Sequence, residues 1–197
     1  MMSETLASRA IRVLHEWVQS ERLRKHCYAV ADSMKHFAHL CGEDVDLWEA
    51  VGLLHDMDYE RYPNLEHSTS EGHPFIGVSW LREQGWSEEI CRAILSHADY
   101  ANVSREAALE KTLYAVDELS SFVVAVALVR PTKSIQDVDV RAVKKKMKDK
   151  AFARAVNRED ITRGAEKLGM PLDAVIAEVI GALNADAERL GLAGTIH

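Results

Sequence analysis

The sequence predicts an all-α protein: a helical core bundle to about residue 130 and a C-terminal helical extension beyond it. Three observations carry this. Apolar residues recur at three- and four-residue spacing almost throughout, the period of a helix face. No alternating apolar and polar run reaches convincing strand length, and no internal repeat is present. After Pro131 the texture changes to short amphipathic stretches with a basic run.

The elements follow in order. Residues 5–19 carry Leu6, Ala10, Val13, Leu14 and Trp17, one helical stripe, within an N-terminal helical segment taken as 1–21. Residues 22–41 carry Leu23, Cys27, Val30, Met34, Phe37 and Cys41, a second stripe. After a Gly-Glu-Asp turn, Asp46 reads as the cap of a helix running to about His55, with Glu49 three residues on as in a capping box. Asp58 to Gly72 is polar and reads as a loop. His73-Pro74 opens the next helix, with Pro at a tolerated first-turn position, and that helix ends near Gly85. Ser87 caps another, SEEICRAILSHA. A long apolar helix spans about Arg105 to Val129 and stops before Pro131, which cannot continue it. Residues 22–130 thus form the expected core, and 131–197 the extension. There, VKKKMKDK (143–150) reads as an exposed amphipathic helix, and 158–168 and 172–190 as two more helices.

Bulk properties bound the function. With 197 residues, 47% of them hydrophobic, the chain can bury a real core in one domain. The net charge of −7 makes nonspecific attraction to nucleic acid an unexpected property, and any phosphate contact local to a site. Three widely spaced cysteines, Cys27, Cys41 and Cys91, form no CxxC pair. They read as buried free thiols in a reducing compartment, and the chain as cytoplasmic. The N-terminal stretch lacks the uninterrupted apolar core of a signal peptide. The longest apolar run, Phe122 to Val129, is too short to span a membrane, so no membrane partner is expected.

Chemistry enters with polar residues on apolar helix faces. His26 shares its face with Val30, Met34 and Phe37. His55 follows Trp48 and Val51. His73 precedes Ile76, Gly77 and Trp80. His97 follows Ile90, Ala93 and Ile94. Asp117 follows Leu113 and Tyr114. With Asp56, these are four His and two Asp aimed at one core. Isolated core charge is costly unless paired or bound to metal. A shared metal site satisfies all six, because His offers neutral nitrogens, Asp offers charge, and helices converge in a bundle interior. His15, His36, His39 and His197 lack such a context and read as surface or locally satisfied residues.

The order His … His-Asp … His … His … Asp resembles the HD-domain superfamily of metal-dependent phosphohydrolases. The motifs are His26 on a preceding helix, "LLHDMD", "GHPFIG", "AILSH" and "YAVDELSSF", covering roughly residues 22 to 130. The HPxxG form at 73–77 is similar to the HDIG-type version with two metals. The resemblance implies an HD-domain helical bundle. It implies that His26, His55, Asp56 and Asp117 hold one divalent ion, and that Asp56 bridges to a second completed by His73 and His97. A bridging hydroxide would then attack phosphorus in a phosphate ester of a nucleotide or other small phosphorylated molecule. The donor set suits Mn, Fe, Co, Ni or Zn better than Mg. "SHADYANVS" lacks the GYP extension of cyclic-dinucleotide phosphodiesterases, and "HDMD" lacks the Lys two residues after the Asp that goes with that subgroup. Both departures argue against cyclic di-GMP.

Further candidates surround this set. Asp58 and Glu60 follow the HD pair closely enough to orient a ligand or act as general acid or base, beside Asp56. The alternative for both is a solvated helix end. His67, in the loop before His73, is placed to face a substrate. Lys111 and Arg130 bracket the helix that carries Asp117 and are candidate phosphate anchors, as are Arg61, Arg82 and Lys133. Two other readings fit the same ligands: a di-iron oxygenase, and a non-catalytic metal-stabilised binding module.

Overall fold

The computed structural model describes residues 4–194. Ten α-helices account for most of them: α1 (Leu6–Trp17), α2 (Glu21–Cys41), α3 (Val45–Leu54), α4 (Phe75–Glu83), α5 (Glu88–His97), α6 (Ala108–Leu128), α7 (Val140–Met147), α8 (Arg158–Leu168), α9 (Leu172–Ala185) and α10 (Ala187–Leu190). No β-strand occurs among the described residues, and one antiparallel bridge joins Ser134 to Ala193. The all-α expectation is met.

The two long helices, α2 and α6, are the axis of the fold. Their buried faces, Val30, Met34 and Phe37 on α2 and Leu113, Leu119 and Phe122 on α6, meet in one apolar core. Helix α3 lies against α2 with very little separation. A Cβ on Gly52 would sit 2.5 Å from Ala31 Cα, so only glycine permits this approach. Helix α8 crosses α6 in the same way, with Gly164 against Ala115. The α9 face of Val175, Ile176 and Val179 joins the same core as the helices before residue 130. Helix α2 is tied to the C-terminal helices twice more: His36 Nε2 lies 2.7 Å from Glu178 Oε2, and Arg189 pairs with Asp32.

Several element boundaries differ from expectation. The N-cap of α3 is Asp44, whose carboxylate accepts from the Leu47 amide at 3.1 Å. Asp46 instead accepts from the Leu6 and Ala7 amides at 2.7 and 3.0 Å, capping α1 from another helix. Glu49 pairs with Lys35 at 3.1 Å, so it completes no capping box. Pro74 precedes α4 rather than sitting in its first turn. The long helix begins at Ala108, and the last expected helix is divided at Asp186. Cys41 is exposed at the end of α2, whereas Cys27 and Cys91 are buried free thiols. Among the described residues no single helix is long and apolar enough to cross a membrane.

Candidate metal centre

The six candidate ligands come from five places. His26 projects from the second turn of α2. His55 and Asp56 follow the last turn of α3. His73 closes the loop before α4, His97 ends α5, and Asp117 lies in the middle of α6. The close α2–α3 contact at Ala31 and Gly52 is what brings His26 to His55. The two ring Nε2 atoms stand 3.0 Å apart.

The ligand atoms fall into two groups, each with its atoms within 4.8 Å of one another: His26, His55 and Asp117, then Asp56, His73 and His97. Asp56 touches both. Its Oδ2 lies 3.3 Å from His26 Nε2, and its Oδ1 lies 3.3 and 3.5 Å from the Nε2 atoms of His73 and His97 and 3.7 Å from that of His55. Asp117 Oδ1 is 3.3 Å from His26 Nε2 and 3.5 Å from His55 Nε2.

The outward ring nitrogens explain why every Nε2 faces inward. His55 Nδ1 donates to the Gly52 carbonyl at 2.8 Å, and His97 Nδ1 donates to the Ile94 carbonyl. His73 Nδ1 donates to Asp58 Oδ1 at 2.7 Å. His26 Nδ1 lies 2.8 Å from Ser121 Oγ. A carbonyl or carboxylate partner requires the proton on Nδ1, which leaves the Nε2 lone pair for a cation. Without a cation, paired rings at 3.0 Å would set lone pair against lone pair, so one must take a proton. Burial works against a charged His26, yet Asp117 and Asp56 outweigh it and push His26 up to about 10. Burial likewise opposes ionisation of Asp56 and Asp117, but the surrounding imidazoles hold both carboxyls well below the usual range. The site is therefore a cage in which His55, His73 and His97 turn lone pairs inward, His26 holds a proton that a cation would displace, and two carboxylates are firmly ionised, a donor set that fits divalent transition ions.

Asp58 is buried, with both oxygens engaged: Oδ1 by His73 and Oδ2 by the Gly77 amide at 2.6 Å. Successive tight turns after Leu54 fold Asp58 back inside. A Cβ at Gly77 would come 2.9 Å from the Asp58 carboxyl carbon, which is why glycine ends the HPxxG motif. Asn64 organises the loop, donating to the Ser68 and His73 carbonyls. His67 is exposed and stacks on Tyr100, with ring centroids 4.7 Å apart, and the Tyr100 hydroxyl donates to the His73 carbonyl at 3.0 Å. Burial, with Asp56 and Asp58 nearby, pushes Tyr100 up to about 12. Tyr59 stands edge-on to His73 at 5.2 Å. Tyr59, Tyr100 and Ser121 escaped sequence reasoning, since nothing in their spacing marks them.

Other candidates are not brought to the centre. Glu60 accepts from the Gln19 and Ser20 amides at 2.8 and 3.1 Å, which bonds it to the chain entering α2 and lowers its pKa. Arg130 lies thirteen positions beyond Asp117 past the end of α6, about 20 Å along the axis, and Lys133 lies beyond it. Lys111 is six positions before Asp117, about 9 Å away and rotated by about 120° on α6. Arg61 donates to the Glu16 carbonyl and covers Trp17, and Arg82 pairs with Glu88. His15 contacts the Tyr28 hydroxyl, His36 pairs with Glu178, and His39 is exposed. His197 lies outside the described residues.

An all-α bundle with four histidines and two aspartates converging on a candidate dinuclear cage defines the class. The HD domain family model matches residues 23–129, and the chain belongs to that family. Among curated proteins it is similar to Ribonuclease Y of Cutibacterium acnes, 30% identical over 79 residues, which is 40% of this chain and 14% of that protein. It is also similar to Ribonuclease Y of Rhodopirellula baltica, 32% identical over 80 residues, 41% of this chain and 15% of that protein. The chain thus spans about one-seventh of the length of these relatives. No solved structure matches it at a significant level.

Proposed function

We propose that this chain is a metal-dependent phosphohydrolase that cleaves a phosphate ester of a nucleotide or other small phosphorylated molecule. The observation that carries the reading is the Asp56 carboxylate, which reaches both ligand groups: Oδ2 lies by His26, and Oδ1 lies by His73 and His97 with His55 at 3.7 Å. His26, His55 and Asp117 would hold one divalent ion, His73 and His97 the other, and Asp56 would bridge them. Such a pair supplies an acidified water and neutralises charge on a phosphoryl oxygen.

The protein's own groups supply orientation. Gly52, Ile94, Asp58 and Ser121 fix the four rings from behind. Asp58, with both oxygens occupied, is a positioning residue and not a proton carrier. His67 and Tyr100 form an aromatic wall beside the His73 loop, suited to a planar part of a substrate. The name of the relatives adds RNA phosphodiesters to the substrates worth testing.

The test is metal analysis of protein purified without added metal, then activity on phosphomonoesters, nucleotides and RNA. Two equivalents of divalent metal and Mn-dependent hydrolysis that persists without oxygen are expected. His55→Ala should lose metal and activity together. Retained activity in metal-free His55→Ala protein would overturn the reading, and oxygen consumption with bound iron would replace hydrolysis by oxygenase chemistry.

A further inference from the structure

The net charge of −7 conceals a strong separation. Between Arg141 and Arg158 stand eight basic residues and one acid, Asp149, so this stretch carries +7 and the remainder of the chain −14. Most of these cations lack protein partners. Lys144 pairs with Asp173 at 2.7 Å, and Lys146 lies 3.9 Å from Asp149 and over the Phe152 ring. Arg158 turns inward and donates to the carbonyls of Ala153 and Val156, both at 2.8 Å. Arg141, Lys145, Lys148, Lys150 and Arg154 are exposed and make no ion pair among the described residues.

The scaffold beneath them is ordered. Val143 is buried, Val140 and Met147 pack on the core, and Phe152 meets Phe122 edge-on at 5.5 Å. Lys150, Arg154 and Arg158 line an open groove of about 510 Å³ with Met147, Asn157 and a single acid, Glu159. One end of the groove reaches the turn of α6 that carries Asp117. The Asn157 amide faces the Glu118 carboxylate, next to Asp117 on α6, and Gly164 of α8 rests on Ala115. Arg163, further along α8, bonds Asp99, two residues beyond His97.

We propose that the surface from Arg141 to Arg158 binds the phosphate backbone of single-stranded nucleic acid alongside the metal centre. Fixed cations spread over a helix of about 12 Å and a loop suit several successive phosphates better than one. The −14 elsewhere repels a polyanion from other faces and confines it to this one. No large exposed apolar residue lies between 141 and 158, which removes the anchor that a membrane surface would need. The inference goes beyond the hydrolase reading and does not depend on it, because binding is measured without turnover.

The experiment uses the full chain and fluorescein-labelled oligo(U) and oligo(dT), followed by anisotropy across a salt series. The wild type should bind, with a log–log salt slope of about −3 for four contacts at roughly −0.7 each. Lys145→Gln/Lys148→Gln/Lys150→Gln/Arg154→Gln should bind about tenfold or more weakly with a flatter slope. Single Arg154→Gln should show a smaller loss in the same direction. Both variants should keep the wild-type melting temperature and the wild-type helical circular-dichroism spectrum. Preference between the two oligonucleotides assigns RNA or DNA as the strand. Wild-type affinity in the fourfold variant would overturn the proposal, as would wild-type binding no stronger than that variant's. So would binding to phosphatidylserine vesicles with none to either oligonucleotide.

Discussion

Asp58 accepts from His73 Nδ1 on one oxygen and from the Gly77 amide on the other. Asn cannot replace it cleanly: an Asn amide accepts on one atom only, so its NH₂ would face either the Gly77 amide or His73 Nδ1–H, donor against donor. Asp58→Asn should weaken metal at the Asp56–His73–His97 group by about 10- to 100-fold. The His26–His55–Asp117 group should keep its ion. Calorimetric titration of metal-free protein separates the two, and equal loss from both groups would refute the positioning role. The six candidate ligands were legible as residues because His and Asp on apolar faces are costly without a shared partner. The division of labour between Asp58 and Glu60 was not. Both follow the HD pair at short spacing, and only the turns after Leu54 send one inward and leave the other to bond the chain entering α2.

Helix periodicity predicted most of the helices but not which of them touch. Asp44 and Asp46 stand two residues apart at the start of α3, and only the position of α1 assigns Asp46 to a different helix. The contact that matters most to the centre, Gly52 on Ala31, has no signature beyond a glycine inside an apolar helix. Gly52→Ala would set a methyl 2.5 Å from backbone that cannot rotate away. It should destabilise the fold by about 1–3 kcal/mol in urea unfolding. It should also reduce bound metal, since α3 carries His55 and Asp56. Unchanged stability together with full metal content would show that the two helices have room to spare.

At the scale of the molecule, the C-terminal helices are fastened to α2 through a buried carboxylate. Asp32 is nearly inaccessible, pairs with Arg189 through one oxygen and leaves Oδ2 without a partner. Burial pushes it up to about 7 despite Arg189, with Asp186 and Glu49 adding to the rise and Lys35 opposing it. The unfolded chain releases this proton near the ordinary value of 3.8. Between these values the folded state binds more protons, so this group's contribution to stability falls as pH rises from about 4 to about 7. Asp32→Asn should flatten that part of the stability–pH curve, measured by urea midpoints across the window. An identical slope in wild type and variant would remove Asp32 as its source.

The sequence by itself determined that the protein is helical, that six specific side chains seek a common partner, and that their order matches the HD family. Those properties follow from period and residue type, which are local. The tertiary structure decided that Asp56 reaches both ligand groups, that Asp58 turns inward while Glu60 bonds the chain entering α2, and that the basic stretch packs on α6 through Phe152 and Phe122. Spacing along a chain measures rotation about one helix axis, and a net charge averages over every face. Neither records which helices come into contact, and it is those contacts that set the distances on which the chemistry depends.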